Sequence, residues 1–375
     1  MPETGTTKWV RLGDYIEQCD ERNSSDVFVL EDVIGISNQK TLIPTKADMK
    51  DVSLSPYKLF KPKEFCYVTV TSRNGGKISL AFNTESKTYI VSSSYLVFRC
   101  KDSEVLLPEY LFMLLNRTEF DRYARFNSWG SARETFDWAE LCRVQIPLPS
   151  IEVQRELVEV YNGLKQLAEQ NEALLPRLSA ACHAYIVDCR DKYPSVPLGD
   201  YIEEYNVTNF DNSIKTVKSV SVFKEFRDTN AKVNKEELSK YKVVKPGMMS
   251  YVQTTKNEKC FACCVNHFEE PIVVTSVNKV LFVTKPKELN IDFLFLFLNR
   301  KEFDRFAIFN SWGSAREVFQ WEDLKVVQIP LPPIEVQQAI VDVYQCAERA
   351  KKIAAEARER LKTLCPALVQ RAAHS

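Results

Sequence analysis

The chain has little of what catalytic sites are commonly built from. Its only histidines are His183, His267 and His374, which leaves scant material for histidine acid–base chemistry. No glycine-rich run opens a helix after a strand. Gly76-Lys77 lacks both the upstream glycine spacing and the following hydroxyl of a phosphate loop. The Asn-Pro-Pro-aromatic tetrad that amino-methyltransferases use is also missing. Neither sign of charge is in excess, with 50 Lys and Arg against 50 Asp and Glu, which argues against simple electrostatic attraction to nucleic acid. The most apolar stretch, Phe293-Leu294-Phe295-Leu296-Phe297-Leu298, is far too short to span a bilayer. No basic start followed by an apolar run resembles a signal peptide. Eleven cysteines at irregular spacing fit free thiols in a reducing cytoplasm better than a disulfide framework.

What the sequence does have is a repeat. Leu12-Gly13-Asp14-Tyr15-Ile16-Glu17 returns as Leu198-Gly199-Asp200-Tyr201-Ile202-Glu203. A longer match sets Asn116 to Tyr161 against Asn299 to Tyr344, ungapped, with 32 identities in 46 positions. Trp129 pairs with Trp312, and Trp138 with Trp321. The chain is a tandem duplication. None of the histidines recurs between the copies, so no histidine mechanism was duplicated with the fold.

The copies match unevenly. Ahead of Asn116 and Asn299 only short anchors survive, such as Leu54-Ser55-Pro56-Tyr57-Lys58 against Leu238-Ser239-Lys240-Tyr241-Lys242, and Lys61-Pro62 against Lys245-Pro246. Each copy thus has a variable front and a fixed back. The fronts hold short runs of β-branched and aromatic residues, such as Cys66-Tyr67-Val68-Thr69-Val70 and Ile272-Val273-Val274-Thr275, broken by turn residues. They predict compact, strand-rich domains with a few helices. The segments Glu109–Arg122 and Asp292–Arg305 predict one buried amphipathic helix each.

The backs predict long helices, each entered through Ile-Pro-Leu-Pro. The first seam reads Val153, Leu157, Val160, Leu164, Leu167, Leu174 and Leu178, with Asn171 in line. The second reads Val336, Ile340, Val343, Ala347, Ala350, Ala354, Ala357, Leu361, Leu364 and Leu368. Alternating spacings of three and four are those of a coiled coil. Asn171 either fixes register or sits where the pair splays. Tyr161 pairs with Tyr344, but Pro176 pairs with Pro366, so the offset grows by seven, one heptad that keeps the stripe in phase. The fold expected is α+β: a pseudo-twofold internal repeat of two strand-rich domains separated by two long antiparallel coiled-coil helices. Its boundaries are 1–149 for the first domain, 150–193 for the first helix, 194–332 for the second domain and 333–375 for the second helix.

The doubled Ile-Pro-Leu-Pro followed by Ile-Glu-Val-Gln, ending at Gln154 and Gln337, together with the Tyr-Lys and Lys-Pro anchors, resembles the specificity subunits of type I restriction–modification systems. That resemblance covers essentially the whole chain. It implies two target recognition domains, each reading half of an asymmetric bipartite site in double-stranded DNA. It also implies two methyltransferase subunits and the restriction–translocase subunits as partners. The chain itself would be non-catalytic, with S-adenosylmethionine, ATP and magnesium on the partners and no cofactor or metal of its own. A helix from Ser150 to Leu175 is roughly 39 Å at ~1.5 Å per residue, close to the about 34–36 Å between half-sites one turn apart. The helices would act as a ruler.

Candidate DNA-contacting residues lie in loops at like offsets from the Tyr-Lys anchors. They are Asn38, Gln39, Lys40, Arg73, Asn74 and Lys77 in the first copy, and Lys224, Arg227, Gln253, Lys256, Asn257 and Lys259 in the second. Such side chains can reach base edges or phosphates. Segment 207–259 has eleven Lys and Arg against six acids, a local excess of five that the neutral total conceals. Arg133 and Arg316, in the retained Phe-Asn-Ser-Trp-Gly-Ser-Ala-Arg-Glu segment, are candidate phosphate clamps. Alternatively, Ser131 and Glu134 have capping-box spacing and the segment only closes the domain. Cys260-x-x-Cys263-Cys264-x-x-His267 suggests zinc but has no second cysteine pair and no counterpart in the first copy, so it reads as a buried strand. Besides the specificity subunit, three other readings remain open. One is a self-contained methyltransferase or nuclease. Another is a non-DNA adaptor spacing two interaction domains. The third is a specificity subunit of a related defence system.

Overall fold

A computed structural model describes residues 8–374 except 46, 72–75, 132, 230–232, 235, 256–259 and 314–316, with side chains as far as 362. The chain separates into two compact units, Met1–Gln170 with Ile353–Ser375, and Asn171–Lys352. Eight α-helices are described: α1 (Pro108–Leu115), α2 (Thr118–Phe126), α3 (Trp138–Arg143), α4 (Ile151–Lys192), α5 (Ile291–Leu298), α6 (Lys301–Phe309), α7 (Trp321–Lys325) and α8 (Ile334–His374).

The first unit is built on a four-stranded antiparallel sheet in the order Ile16–Cys19, Tyr95–Cys100, Phe65–Val68, Leu80–Phe82. Three two-stranded ladders join it: Lys58–Phe60 with Tyr89–Val91, Ile34–Ile36 with Leu42–Pro44, and Lys8–Arg11 with Gln145–Leu148. The second unit repeats this arrangement element for element. Its sheet runs Ile202–Glu204, Asn278–Val283, Met249–Val252, Cys263–Val265. Its ladders are Lys242–Val244 with Ile272–Val274, Lys218–Val220 with Phe226–Asp228, and Ser195–Pro197 with Gln328–Pro330. The fronts therefore diverged in sequence and kept one topology. What they share is apolar volume at the inward positions. In the first core Phe65 stacks between Phe82 and Phe98 at 4.7 and 4.8 Å. In the second, Tyr251 stacks on Phe261 at 4.9 Å, and Phe303 meets the edge of that ring at 5.1 Å.

The single helices predicted from Glu109 and Asp292 are each two helices. Asn116 and Asn299 end α1 and α5, and the next residues, Arg117 and Arg300, are extended and cap α2 and α6. The break lets α1 and α5 bury almost every side chain, while α2 and α6 keep a polar outer face.

The doubled Gln of the Ile-Glu-Val-Gln motif explains how the long helices are mounted. Gln154 is fully buried; its Oε1 accepts from Leu107 N at 2.9 Å, and its Nε2 donates to the carbonyls of Val105 and Pro149, both at 2.9 Å. Gln337, also fully buried, accepts from Asn290 N at 2.8 Å and donates to Glu288 and Pro332 carbonyls at 2.7 and 2.8 Å. One amide satisfies three buried backbone groups. It ties the first turn of the helix to the loop before α1 or α5.

Within the first unit Leu157 and Val158 of α4 join the core, and Leu361, from the far end of α8, packs against it. Within the second, Ile186 and Cys189 from the far end of α4 join Ile340 and Val341 of α8. Each unit thus holds the start of its own helix and the end of the other's, the antiparallel arrangement expected. The α8 seam follows the predicted positions through Leu361; Leu364 and Leu368 lie beyond the described side chains. The α4 seam is displaced. Val160, Leu167 and Leu174 are 43–46% exposed, whereas Ala168 is fully buried and Tyr161 and Leu175 are half-buried. The inward line therefore passes through Tyr161, Leu164, Ala168, Asn171, Leu175 and Leu178. Large apolar residues drew the sequence reading one position aside from a small one. The helix α4 runs through Pro176 to Lys192. A proline inside a helix costs about 3 kcal/mol. Here the next turns recover it by burying Cys182, Ile186 and Cys189. Because both helices pass through their prolines, Pro176 and Pro366 mark no equivalent ends, and the extra heptad inferred from pairing them loses its support.

Candidate nucleic-acid interface

The predicted loops at 38–40 and 223–227 are tips of corresponding hairpins. In the first, Ser37 N donates to Thr41 O at 3.0 Å and Lys40 N to Ser37 O at 3.1 Å. In the second, Ser221 N donates to Glu225 O at 3.0 Å and Lys224 N to Ser221 O at 2.9 Å. The Ser side chain receives the next-but-one amide in both, from Gln39 and Phe223, each at 3.2 Å. Lys40 and Lys224 both adopt left-handed backbone, at φ +60° and +59°, where a non-glycine residue is strained.

These two lysines do not face solvent, which removes them from the groove-reading set. Lys40 Nζ donates to Leu115 O, at the end of α1, at 2.7 Å and pairs with Asp121 of α2 at 2.9 Å. Lys224 Nζ donates to Leu298 O, at the end of α5, at 3.2 Å and pairs with Asp304 of α6 at 2.8 Å. The carboxylates also accept from backbone amides two residues ahead of the Leu80–Phe82 and Cys263–Val265 strands, Ile78 N at 3.2 Å and Phe261 N at 2.9 Å. One buried cation therefore caps a helix and binds hairpin to domain in each copy. Burial pushes the Lys40 pKa below the ordinary lysine value, and the Asp121 pair opposes that. Asp121 and Asp304 were missed in the sequence. The recurring Ser-x-x-Lys and the retained Phe-Asp-Arg at 120–122 and 303–305 were the available signs.

What each hairpin does expose differs. The first presents Asn38 and Gln39, the second Val222 and Phe223. Lys77, also exposed, donates from Nζ to Gln39 Oε1 at 3.3 Å. Arg227 is exposed, its guanidinium 5.4 Å from the Phe223 ring centroid, within cation–π range. Gln253 is half-buried, and its backbone carbonyl receives Phe319 N at 2.9 Å. Arg73, Asn74, Lys256, Asn257, Lys259 and Arg316 lie outside the described residues. The Tyr-Lys anchors are structural too. Lys58 is buried and reaches Asp20 at 3.0 Å, which holds the Asp20 carboxyl below its usual pKa. Lys242 approaches Glu204 at 3.7 Å.

The retained Trp-Gly segment starts no helix. Trp129 and Thr135 exchange backbone hydrogen bonds of 3.1 and 2.9 Å, closing a loop, and α3 begins later, capped by Asp137. Glu134 is taken by Arg125 instead of by a capping box. Gly130 has φ +141°, and a Cβ there would collide with the carbonyl of Arg133, so glycine is required. Arg133 is exposed. Beside it Phe126 and Trp129 are exposed, as are Phe309 and Trp312 in the second unit. The sequence reading takes this segment as a phosphate clamp or a domain-closing turn and does not single out its aromatics. Nothing in residue type separates a buried Phe from an exposed one.

Cys263 lies on a strand with its thiol in the core, and burial pushes its pKa up to about 12. Cys264 is raised likewise, to about 12. His267 is engaged by Asp292 at 3.1 Å, which raises its pKa. Among the described residues no group of three His, Cys, Asp or Glu converges on a point. No described helix is long and apolar enough to cross a membrane.

The comparisons with known proteins agree with this geometry. Residues 254–362 match the family model of the type I restriction modification DNA specificity domain. No curated protein matches the chain in sequence. Among solved structures, the S subunit of the type I restriction–modification system from M. genitalium superposes with a TM-score of 0.62 at 9% identity, covering 99% of this chain and 97% of that one. This similarity gives the fold. The HsdS subunit from Thermoanaerobacter tengcongensis (TM-score 0.43, 17% identity, 100% and 98% covered) overlaps more loosely. So does a chain from a study of type I R-M complex assembly (TM-score 0.42, 16% identity, 100% and 99% covered). Residues 254–362, in the second copy, thus match the model of that domain, and the 32 identities between 116–161 and 299–344 link the first copy to the matched segment.

Proposed function

We propose that this chain is the DNA specificity subunit of a type I restriction–modification complex, reading an asymmetric bipartite duplex site with one unit on each half. One observation carries the reading: two units of the same topology hold their hairpins with the same buried lysine, yet present different side chains at the tips. A shared mount with unlike tips suits one duplex geometry and two base sequences. The elements that stayed identical in both copies suit identical partners. The exposed Phe126–Trp129 and Phe309–Trp312 pairs would serve two methyltransferase subunits, with restriction–translocase subunits joining them. The long helices would set the spacer between half-sites.

On this reading the chain is non-catalytic and works in the cytoplasm. S-adenosylmethionine, ATP and magnesium belong to the partners, and the partner methyltransferase flips and modifies the base. The partners also supply the positive charge that a neutral chain lacks. Selection of duplexes from a random library by the full chain, assembled with the methyltransferase of its own genome, tests this. It should return two fixed blocks separated by a constant run of unread base pairs. Return of a single block, or of none, contradicts it.

A further inference from the structure

We infer that the two hairpin tips, Asn38-Gln39 and Val222-Phe223, are exchangeable base-reading heads, aimed by the buried pairs Lys40–Asp121 and Lys224–Asp304. The first is suited to adenine and the second to the thymine methyl group. This rests on the DNA reading proposed above and goes further, because it assigns specificity to four residues and aim to four others.

The argument begins with strain. A left-handed backbone is cheapest for glycine, yet both copies place lysine there, at φ +60° and +59°. Each keeps it because the side chain has work that glycine cannot do. From that backbone Nζ reaches a helix-terminal carbonyl and a buried carboxylate at 2.7–3.2 Å. The hairpin is therefore fixed at its turn, where a surface hairpin is ordinarily loosest. Fixing a turn while its two preceding residues point into solvent serves recognition, since a reading group must be held to within a fraction of an ångström.

The exposed pairs are chemically opposite. Asn and Gln amides offer a donor and an acceptor side by side, the match for adenine N6 and N7 in the major groove. Val222 and Phe223 offer no hydrogen bond, and Phe223 is 76% exposed. An apolar side chain in the groove is matched by the thymine methyl, which no other base carries. Arg227 lies against the same ring, its guanidinium 5.4 Å from the centroid. The positions correspond residue for residue, each pair standing between the Ser and Lys of its Ser-x-x-Lys turn.

The test exchanges the tips in the full chain: Asn38→Val with Gln39→Phe, and separately Val222→Asn with Phe223→Gln. Both change exposed residues and leave the mounts intact. Library selection with the assembled complex should show the first exchange replacing adenine by thymine in one half-site, and the second doing the reverse in the other. Each should shift the base ratio at the affected position about tenfold or more. If either exchange alters both half-sites, or neither alters its own, the heads are wrong although the DNA reading stands. If the unaltered chain selects no sequence, the DNA reading falls and the heads with it. The aiming role has its own test, Lys40→Met with Asp121→Asn, which leaves no buried charge unpaired. It should flatten the base preference of the first half-site and leave the second unchanged. Undiminished preference in the first half-site overturns the aiming role.

Discussion

Lys40 and Lys224 sit in polar, turn-forming stretches of sequence and end up in the interior. Lys40 exposes 4% of its side chain and Asp121 7%, so the pair has little water to fall back on. Removing one partner of such a pair leaves a buried charge uncompensated, at a cost of about 3–5 kcal/mol. Lys40→Met should therefore lower the stability of the first unit by about that amount in urea unfolding. Adding Asp121→Asn should restore most of it, because the amide oxygen still accepts from Ile78 N. A loss below about 1 kcal/mol in the single variant would mean that the pair does not hold the hairpin. The sequence alone disguised this role. A lysine in a loop is ordinarily solvated, and its partner lies 75 to 81 residues away in the chain.

At the scale of the element, the Gln154 and Gln337 clamps matter more than the coiled-coil seam for where the long helices begin. Replacing Gln154 by Leu fits the volume and strands Leu107 N and the carbonyls of Val105 and Pro149. Each buried group left unsatisfied costs about 1–3 kcal/mol, so the variant should lose at least about 2 kcal/mol by the same unfolding measurement. A neutral result would show that water takes the glutamine's place. The existence, class and entry points of the helices were legible because proline and heptad spacing act locally. The register of α4 was not. Val160 and Leu167 satisfy the apolar pattern as well as Tyr161 and Ala168 do, and only packing decides which face turns inward. The break at Asn116 was hidden for a similar reason, as the apolar pattern continues across it into Phe120 and Ala124.

At the scale of the whole chain, the duplication was plain in the sequence and the shared topology of the fronts was not. The fronts retain few identities, yet every ladder of the first unit has its counterpart in the second. Inward volume and the buried lysine persisted while the exposed positions changed freely. Division of labour between the fronts is the central claim. The most direct test is to replace residues 20–110 by 206–293, so that both units carry the second front, and then to map the sites that the assembled complex selects. The account predicts a site whose two half-sites have become the same sequence, with the spacer unchanged. A site that keeps two different halves, or changes in both, would contradict it.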